Sequence, residues 1–261
     1  MPYKEINGIN LNYEIKGNGE PLLFIHGLGS SLMDWELQVE CFSKQYKVIV
    51  VDLRGHGKSS KPSGRYSIGL FAADVAELLR ELNLYPAHIN GLSMGGATGL
   101  HIAVHHSDVV KSLIVSNMSA AMPVKTFAQK KMYYTRVLIT MIFGTGKMGE
   151  IISKNVFPKT DQEELRNTLI RRWSKNGRRP YLNSLRALKN WDIIPELHRI
   201  KSPVLIVHAE NDYTPLAIKK DYASKIKSSD VQVIDDARHI VNMEKPDIYN
   251  KMIASFIGNL Y

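Results

Sequence analysis

Short apolar runs recur along this chain, and helical patterns separate most of them. The runs are apolar at nearly every position, which is typical of strands covered on both faces in a parallel sheet. They span residues 11–15, 22–25, 46–51, 87–90, 109–115, 204–207 and 231–234. The helical patterns span residues 32–43, 68–82, 94–105, 216–226 and 247–257. This alternation predicts an α/β fold with a mainly parallel sheet flanked by helices.

One long segment interrupts the alternation. Residues 118–191 have no strand pattern and contain helical stretches at 126–142, 162–173 and 181–189. We therefore predict a helical cap inserted into the fold, here called the cap segment (residues 118–191). The core is predicted to consist of residues 1–117 and 192–261. A chain of 261 residues is long enough to bury one large core.

Cysteine content and the apolar runs bear on the cellular compartment of the protein and on whether it crosses a membrane. Cys41 is the only cysteine, so the chain has no intrachain disulfide and does not need an oxidising compartment. The first 12 residues are polar and lack a signal-peptide pattern, so we expect a cytoplasmic protein. The apolar run at residues 137–143 is far shorter than the roughly 20 residues of a membrane-spanning helix.

Positive charge is concentrated in the cap segment. Residues 121–190 contain 15 Lys or Arg against 4 Asp or Glu, whereas the rest of the chain contains 19 against 21. Five of these cations lie within nine residues: Arg171, Arg172, Lys175, Arg178 and Arg179. A solvated basic face is the simplest interpretation. An anionic substrate, an acidic carrier protein or an acidic membrane surface is the functional alternative, and nucleic acid is not expected because no binding module is present.

The motif Gly91-Leu92-Ser93-Met94-Gly95 lies between an apolar strand and a helical pattern. This is the strand–turn–helix context of the nucleophile elbow, whose tight turn strains the serine and needs small residues two positions away on either side. The turn also places the serine at a helix N-terminus, which favours developing negative charge. Ser93 is the predicted nucleophile.

A serine hydroxyl needs a base to accept its proton, and that base needs a carboxylate to orient it. His239 follows the last predicted strand and is the predicted base; the other eight histidines lie outside that loop. Asp212 follows the strand at 204–207 and completes the order Ser, Asp, His. Glu210 is the nearest competitor for the acid. The end of the preceding strand holds Ser116 and Asn117, neither of which is acidic.

The oxyanion formed by attack on an ester needs two aimed N–H donors. One predicted donor is the N–H of Met94, directly after the nucleophile. The other is the N–H of Leu28, in the loop His26-Gly27-Leu28-Gly29 after the strand at 22–25. A tight turn without catalytic function is the alternative for this loop.

Together these motifs resemble the α/β-hydrolase superfamily over essentially the whole chain. The residues that carry the resemblance are 26–29, the run Asp52-Leu53-Arg54-Gly55-His56-Gly57-Lys58-Ser59, residues 91–96, Asp212 and His239. The run 52–59 resembles the superfamily's loop after the fourth strand, which we interpret as a structural loop and not as a source of catalytic residues. The chain is similar to the small capped serine esterases, which include carboxylesterases, enol-lactonases and pimeloyl-carrier-protein methyl ester esterases. Ser93 disfavours haloalkane dehalogenases and epoxide hydrolases, which would have an aspartate there.

This resemblance implies hydrolysis of a carboxylic ester through an acyl-enzyme on Ser93, without a metal or organic cofactor. The substrates would be small to medium acyl or aryl esters. If the protein is a hydrolase of this kind, a lactone or a carrier-protein acyl ester is the alternative substrate. A ligand-binding receptor, or a cofactor-free perhydrolase or lyase, is the alternative function of a different class.

Apolar and aromatic residues of the cap segment are the candidates for the substrate pocket, because the cap must cover the Ser93 end of the sheet. Simple packing onto the core is the alternative for each of them. The candidates are Met118, Met122, Met132, Tyr133 and Met141.

Overall fold

An eight-stranded sheet forms the centre of the computed structural model, which describes residues 2–260. The spatial order of the strands is β1-β2-β4-β3-β5-β6-β7-β8. The strands are β1 (Tyr3–Ile6), β2 (Ile9–Lys16), β3 (Glu20–Ile25), β4 (Tyr46–Val51), β5 (Ala87–Leu92), β6 (Val110–Ser116), β7 (Val204–Ala209) and β8 (Ser229–Ile234). Strands β1, β2 and β4 pair antiparallel, and every pairing from β4 to β8 is parallel. The predicted fold is confirmed.

The central strands are apolar at nearly every position because both of their faces are covered. Every residue of β5 and of β7 is buried. Strand β1 was not predicted, since its sequence, YKEI, is half polar and buries only Ile6. It forms through its antiparallel pairing with β2, in which Tyr3 lies opposite Asn12.

Seven α-helices lie between strands in the described chain, and two more follow the last strand. They are α1 (Glu36–Phe42), α2 (Ile68–Glu81), α3 (Met94–His105), α4 (Phe127–Val156), α5 (Glu163–Trp173), α6 (Arg178–Leu188), α7 (Leu216–Ala223), α8 (Val241–Glu244) and α9 (Pro246–Gly258). Short 3-10 helices occupy Leu32–Trp35, Ser107–Val109, Thr160–Gln162 and Ile194–Arg199. Within residues 2–260, no helix has the length and apolar character needed to cross a membrane.

The inward face of α2 differs from the sequence expectation. The helical pattern at residues 68–82 predicts inward positions for Leu70, Ala73, Ala76, Leu78 and Leu79. Ala76, Leu78 and Leu79 are buried as predicted, but Leu70 and Ala73 are only half-buried. Phe71 and Val75 are fully buried as well, one helical turn apart and on the same face as Leu78 and Leu79.

The cap segment joins the sheet through a narrow neck. Ala121 forms an antiparallel bridge with Asp192, and the N–H of Met122 donates to the carbonyl of Trp191 over 2.8 Å. Between these two sides of the neck the described chain forms α4, α5 and α6 and no strand. The division into a core and an inserted cap stays a prediction.

Helix α4 is longer than predicted and contains a kink. Thr126 caps its N-terminus in a capping box with Gln129. Gly144 interrupts it with a φ of 82° and a ψ of 179°, so residues 127–143 and 145–156 are two helical segments. Glycine adopts such a backbone conformation at little cost, which explains why the chain turns at this residue.

The loop after β4 is a scaffold for the neighbouring loops. The carboxylate of Asp52 accepts hydrogen bonds from the N–H of Leu32, the amide of Asn12 and the N–H of Lys58, each 2.8 Å long. Arg54 forms a buried bidentate pair with Asp74, at 2.6 and 2.8 Å. These groups pair with one another rather than pointing into a site.

Candidate active site

Ser93 lies at the tight turn between β5 and α3. Its backbone has a φ of 54° and a ψ of −120°, which is a strained conformation for a residue with a side chain. The turn leaves no room at its flanks, because a Cβ on Gly91 would lie 2.2 Å from the carbonyl oxygen of Gly95. A Cβ on Gly95 would lie 2.0 Å from the carbonyl oxygen of Ile25. The nucleophile-elbow geometry expected from the motif is therefore present.

The imidazole of His239 pairs with the carboxylate of Asp212. Nδ1 of His239 lies 2.6 Å from Oδ1 of Asp212, and the Asp212 side chain is fully buried. Burial works to raise the pKa of Asp212, but the hydrogen bond and charge of His239 and the nearby ammonium of Lys219 lower it to about 2. An ionised Asp212 accepts the Nδ1 proton, which leaves Nε2 of His239 free to accept a proton.

Glu210, the competing acid, is engaged elsewhere. Its Oε2 accepts a hydrogen bond of 2.8 Å from the N–H of Asp236, on the exposed side of the loop. The pairing of His239 is therefore with Asp212 and not with Glu210.

A buried lysine contacts the second oxygen of Asp212. Nζ of Lys219, on α7, lies 2.7 Å from Oδ2 of Asp212, and both side chains are fully buried. The ammonium also donates to Nδ1 of His208 over 2.9 Å and to Oδ1 of Asn117 over 3.3 Å. Three acceptors match the three donors of an ammonium group. Burial lowers the pKa of Lys219, and the carboxylate of Asp212 opposes that shift.

Asn117 joins the histidine loop to the end of β6. Its side-chain amide donates to the carbonyl of His239 over 2.9 Å and to the carbonyl of Arg238 over 3.3 Å. Its Oδ1 accepts the N–H of Ala209, at the end of β7. The N–H of Ser93 donates to the carbonyl of Ser116, one residue before Asn117. The serine turn and the histidine loop are thus attached to neighbouring residues of one strand end.

The serine and the histidine are not hydrogen-bonded to each other. Within residues 2–260, no group lies in hydrogen-bond contact with Oγ of Ser93, and Nδ1 of His239 contacts Asp212. In unliganded enzymes the hydrogen bond between nucleophile and base often forms only when substrate is present. The assignment of Ser93, His239 and Asp212 as one catalytic unit stays a prediction.

The loop at residues 26–29 is held rigidly beside the serine. Nε2 of the buried His26 accepts the N–H of Leu53 over 3.0 Å, so its Nδ1 carries the proton and donates to the carbonyl of Gly27. Burial lowers the pKa of His26, which keeps the ring neutral. Gly27 passes so close to the elbow that a Cβ on it would lie 3.9 Å from Oγ of Ser93.

The two predicted oxyanion donors are both available. Met94 is the first residue of α3, so its N–H has no partner within the helix. In the described part of the chain no group accepts the N–H of Leu28. Gly27 lies against Ser93, and these two residues directly precede Leu28 and Met94 in the chain. The N–H groups of Leu28 and Met94 therefore lie on neighbouring segments. Their role as an oxyanion hole stays a prediction.

The cap segment packs directly on this loop. A Cβ on Gly29 would lie 3.0 Å from the indole of Trp173, and the amide of Asn176 donates to the carbonyl of Gly29 over 2.6 Å. Arg172 donates to Asp34 over 2.9 Å and to Glu36 over 2.7 Å. Asp34 also accepts a hydrogen bond from the hydroxyl of Ser30, the residue after Gly29.

The predicted pocket residues occupy different environments. Met118 is buried against the elbow, since a Cβ on Gly96 would lie 3.0 Å from Cβ of Met118. Tyr133 is buried and Met122 is half-buried. Met132 and Met141 keep 66% and 56% of their surface exposed, so they do not line an enclosed cavity. Their roles in substrate binding stay predictions.

Sequence reasoning missed several groups around the site. The ring of Tyr213 packs against that of His239, with ring centroids 4.5 Å apart and the planes tilted by 36°. Lys219 could have been noticed, because it shares the buried face of α7 with Tyr222 and Ala223, where a lysine is out of place. Asn117 gives no such signal, since a polar residue after a strand is ordinary. Within residues 2–260, no cluster of three or more His, Cys, Asp or Glu side chains has the arrangement of a metal site.

Comparisons with known proteins agree with this architecture. The profile of the family described as alpha/beta hydrolase fold matches residues 20–246. The chain is 30% identical to 3-oxoadipate enol-lactonase 2 of Acinetobacter baylyi, over 95% of this chain and 92% of that protein. It is 27% identical to (E)-2-((N-methylformamido)methylene)succinate hydrolase of the same organism, over 96% and 95% of the two chains.

Among solved structures, the enol-lactonase of Burkholderia xenovorans superposes with a TM-score of 0.91 at 27% identity. That match covers 98% of this chain and 100% of the other. The family profile, the curated relatives and the shared fold all extend over nearly the whole sequence. This chain belongs to the alpha/beta hydrolase family and is a hydrolase.

Proposed function

We propose that this protein hydrolyses carboxylic esters through an acyl-enzyme on Ser93, with His239 as general base and Asp212 as the acid that orients it. The observation that carries the proposal is the 2.6 Å contact between His239 and the buried carboxylate of Asp212. His239 lies in a loop that the side chain of Asn117 holds next to the strained turn of Ser93.

Acylation begins when substrate brings Oγ of Ser93 and Nε2 of His239 together. Nε2 accepts the hydroxyl proton as Oγ attacks the ester carbonyl, and the carbonyl oxygen becomes an oxyanion held by the N–H groups of Leu28 and Met94. Asp212 stabilises the imidazolium. Collapse of the intermediate breaks the bond to the alcohol oxygen, which leaves with the proton from Nε2.

Deacylation repeats these steps with water. Nε2 of His239 accepts a proton from water as the water oxygen attacks the acyl carbonyl. The second intermediate releases the carboxylic acid and returns the proton to Oγ of Ser93. The net reaction is ester plus water to carboxylic acid plus alcohol.

Small to medium acyl or aryl esters are the proposed substrates. Met118 beside the elbow and the aromatic Trp173 over Gly29 supply apolar surface next to the reacting groups. Two relatives are named as enol-lactonases. Ring opening of a lactone uses the same steps, with the alcohol remaining attached to the acyl group, so a lactone is the second candidate substrate.

The proposal is tested by initial rates on a series of p-nitrophenyl esters from acetate to palmitate. We expect activity that peaks at short or medium chains and falls by about 10⁶-fold in Ser93→Ala. Ser224→Ala, an exposed serine after α7, is the matched control and should keep wild-type activity. Equal rates for Ser93→Ala and the wild type would overturn the proposal. Activity only with peroxide would point to a perhydrolase, and binding without turnover would point to a receptor.

A further inference from the structure

Arg136, an arginine of the cap segment, packs against two aromatic rings near the loop at residues 26–29. Most cations of the cap segment are either fully exposed or already paired, as Arg172 is with Asp34 and Glu36. Arg136, on α4, is half-buried, and within residues 2–260 no carboxylate lies within ion-pair distance of it. Its Nε donates to the hydroxyl of Tyr181 over 2.5 Å.

Two aromatic rings fix the position of the Arg136 guanidinium. It lies 5.9 Å from the ring centre of Trp173 and 5.5 Å from that of Tyr181. Nε donates to Tyr181, and in the described chain neither terminal NH₂ group donates a hydrogen bond to the protein. A guanidinium held in this way is preorganised for bidentate contact with a carboxylate.

The position of Arg136 relative to the reacting groups follows from its neighbours. Trp173, which lies under the guanidinium, packs on Gly29 of the predicted oxyanion loop. Through Trp173, the Arg136 guanidinium is one side chain away from the loop that contacts Ser93.

The surface beside Arg136 is open to a ligand. Met132 lies one helical turn before it on the same face of α4 and is 66% exposed.

We propose that Arg136 binds a carboxylate of the substrate, so that the preferred esters or lactones have a second, ionised carboxyl group on the acyl chain. This inference names the substrate class of the proposed esterase and rests on that function. The guanidinium has aromatic and hydroxyl contacts but no carboxylate partner in the described chain, and a substrate carboxylate would supply one.

The test compares two esters of equal acyl length, p-nitrophenyl butyrate and mono-p-nitrophenyl succinate, which differ in a terminal methyl or carboxylate group. We expect the ratio of kcat/KM for the succinate ester to that for the butyrate ester to fall by about 10- to 100-fold in Arg136→Met. Arg136→Lys should lose less of the ratio, since it keeps the charge without the fork. Arg171→Met is the control, because Arg171 is exposed and, among the described residues, its side chain hydrogen-bonds only to Thr168; its ratio should stay within about twofold of wild type. An unchanged ratio in Arg136→Met would overturn the inference while leaving the esterase proposal intact.

A binding measurement separates this inference from the esterase proposal. Succinate is titrated calorimetrically into wild type, Ser93→Ala and Arg136→Met, which requires no turnover. Binding that persists in Ser93→Ala and weakens by tenfold or more in Arg136→Met supports the carboxylate site even if no ester is hydrolysed. Equal affinity for wild type and Arg136→Met, or absence of binding to both, contradicts it.

Discussion

The ammonium of Lys219 and the imidazole of His239 contact opposite oxygens of one buried carboxylate, that of Asp212. The distances are 2.7 Å from Lys219 Nζ to Oδ2 and 2.6 Å from His239 Nδ1 to Oδ1. The positive charge of Lys219 therefore has two effects. It helps to keep Asp212 ionised although the carboxylate is buried, and it offsets part of the carboxylate's negative charge, which would otherwise stabilise the imidazolium of His239 more strongly.

Replacement of Lys219 by methionine should change both the pH profile and the stability. Without the ammonium the uncompensated carboxylate stabilises the imidazolium more strongly, so the acid limb of kcat/KM should move to higher pH. His208 and the buried Tyr222 also lie near Asp212, but burial favours the neutral form of each, so neither replaces the lost charge. Loss of one partner of a fully buried ion pair should lower the free energy of unfolding by roughly 3–5 kcal/mol.

The measurements are kcat/KM against pH and urea unfolding, with Lys220→Met as the control. Lys220 is adjacent in the chain and exposed, so neither property should change. An acid limb that stays at the wild-type pH in Lys219→Met would show that the lysine has only a packing role.

The identity of the acid can be tested with a matched pair of isosteric changes. Asp212→Asn removes the charge that orients His239, and we expect kcat/KM to fall by roughly 10³- to 10⁴-fold. Glu210→Gln removes an exposed carboxylate that accepts the N–H of Asp236, and its rate should stay within about threefold of wild type. Steady-state kinetics on one p-nitrophenyl ester distinguish the two, and a greater loss in Glu210→Gln would reverse the assignment.

Asp212 should also contribute to acid unfolding. Its pKa is lowered from 3.8 to about 2 in the folded chain, so between these values the unfolded state binds a proton that the folded state does not. The contribution is complete above about pH 4 and is lost as the pH falls toward 2, with a size of roughly 2 kcal/mol. Urea unfolding of wild type and Asp212→Asn at several pH values should show a difference in stability that shrinks over this range. A difference independent of pH would contradict the linkage.

The contact of Arg172 with Asp34 should couple the cap segment to the oxyanion loop. Within the described chain, Arg172→Met leaves the buried carboxylate of Asp34 with only its hydrogen bond from Ser30, and we expect unfolding to require roughly 2–4 kcal/mol less free energy, together with a lower kcat. Arg171→Met removes a neighbouring exposed charge and serves as the comparison. Thermal unfolding and kcat on a short-chain ester are the two measurements, and equal behaviour of the two variants would rule out the coupling.

Much of the fold and part of the site could be predicted from the sequence for physical reasons. Strands such as β5 and β7 are buried on both faces and so are apolar throughout, and the motif around Ser93 requires glycines that a tight turn leaves no room to replace. Strand β1 could not be predicted, because its half-polar sequence forms a strand only by pairing with β2. The contacts of Asn117 and Arg136 could not be predicted either, because their partners are distant in the chain.

The central claim is that Ser93 carries the acyl group during turnover. The most direct measurement is mass spectrometry of the protein after rapid acid quench with p-nitrophenyl butyrate, followed by peptide mapping. We expect a mass increase of one butyryl group on the peptide that contains Ser93, with more of it in a variant slowed in deacylation, and no increase in Ser93→Ala. Turnover at the wild-type rate in Ser93→Ala, or an acyl group found only on another residue, would contradict the account.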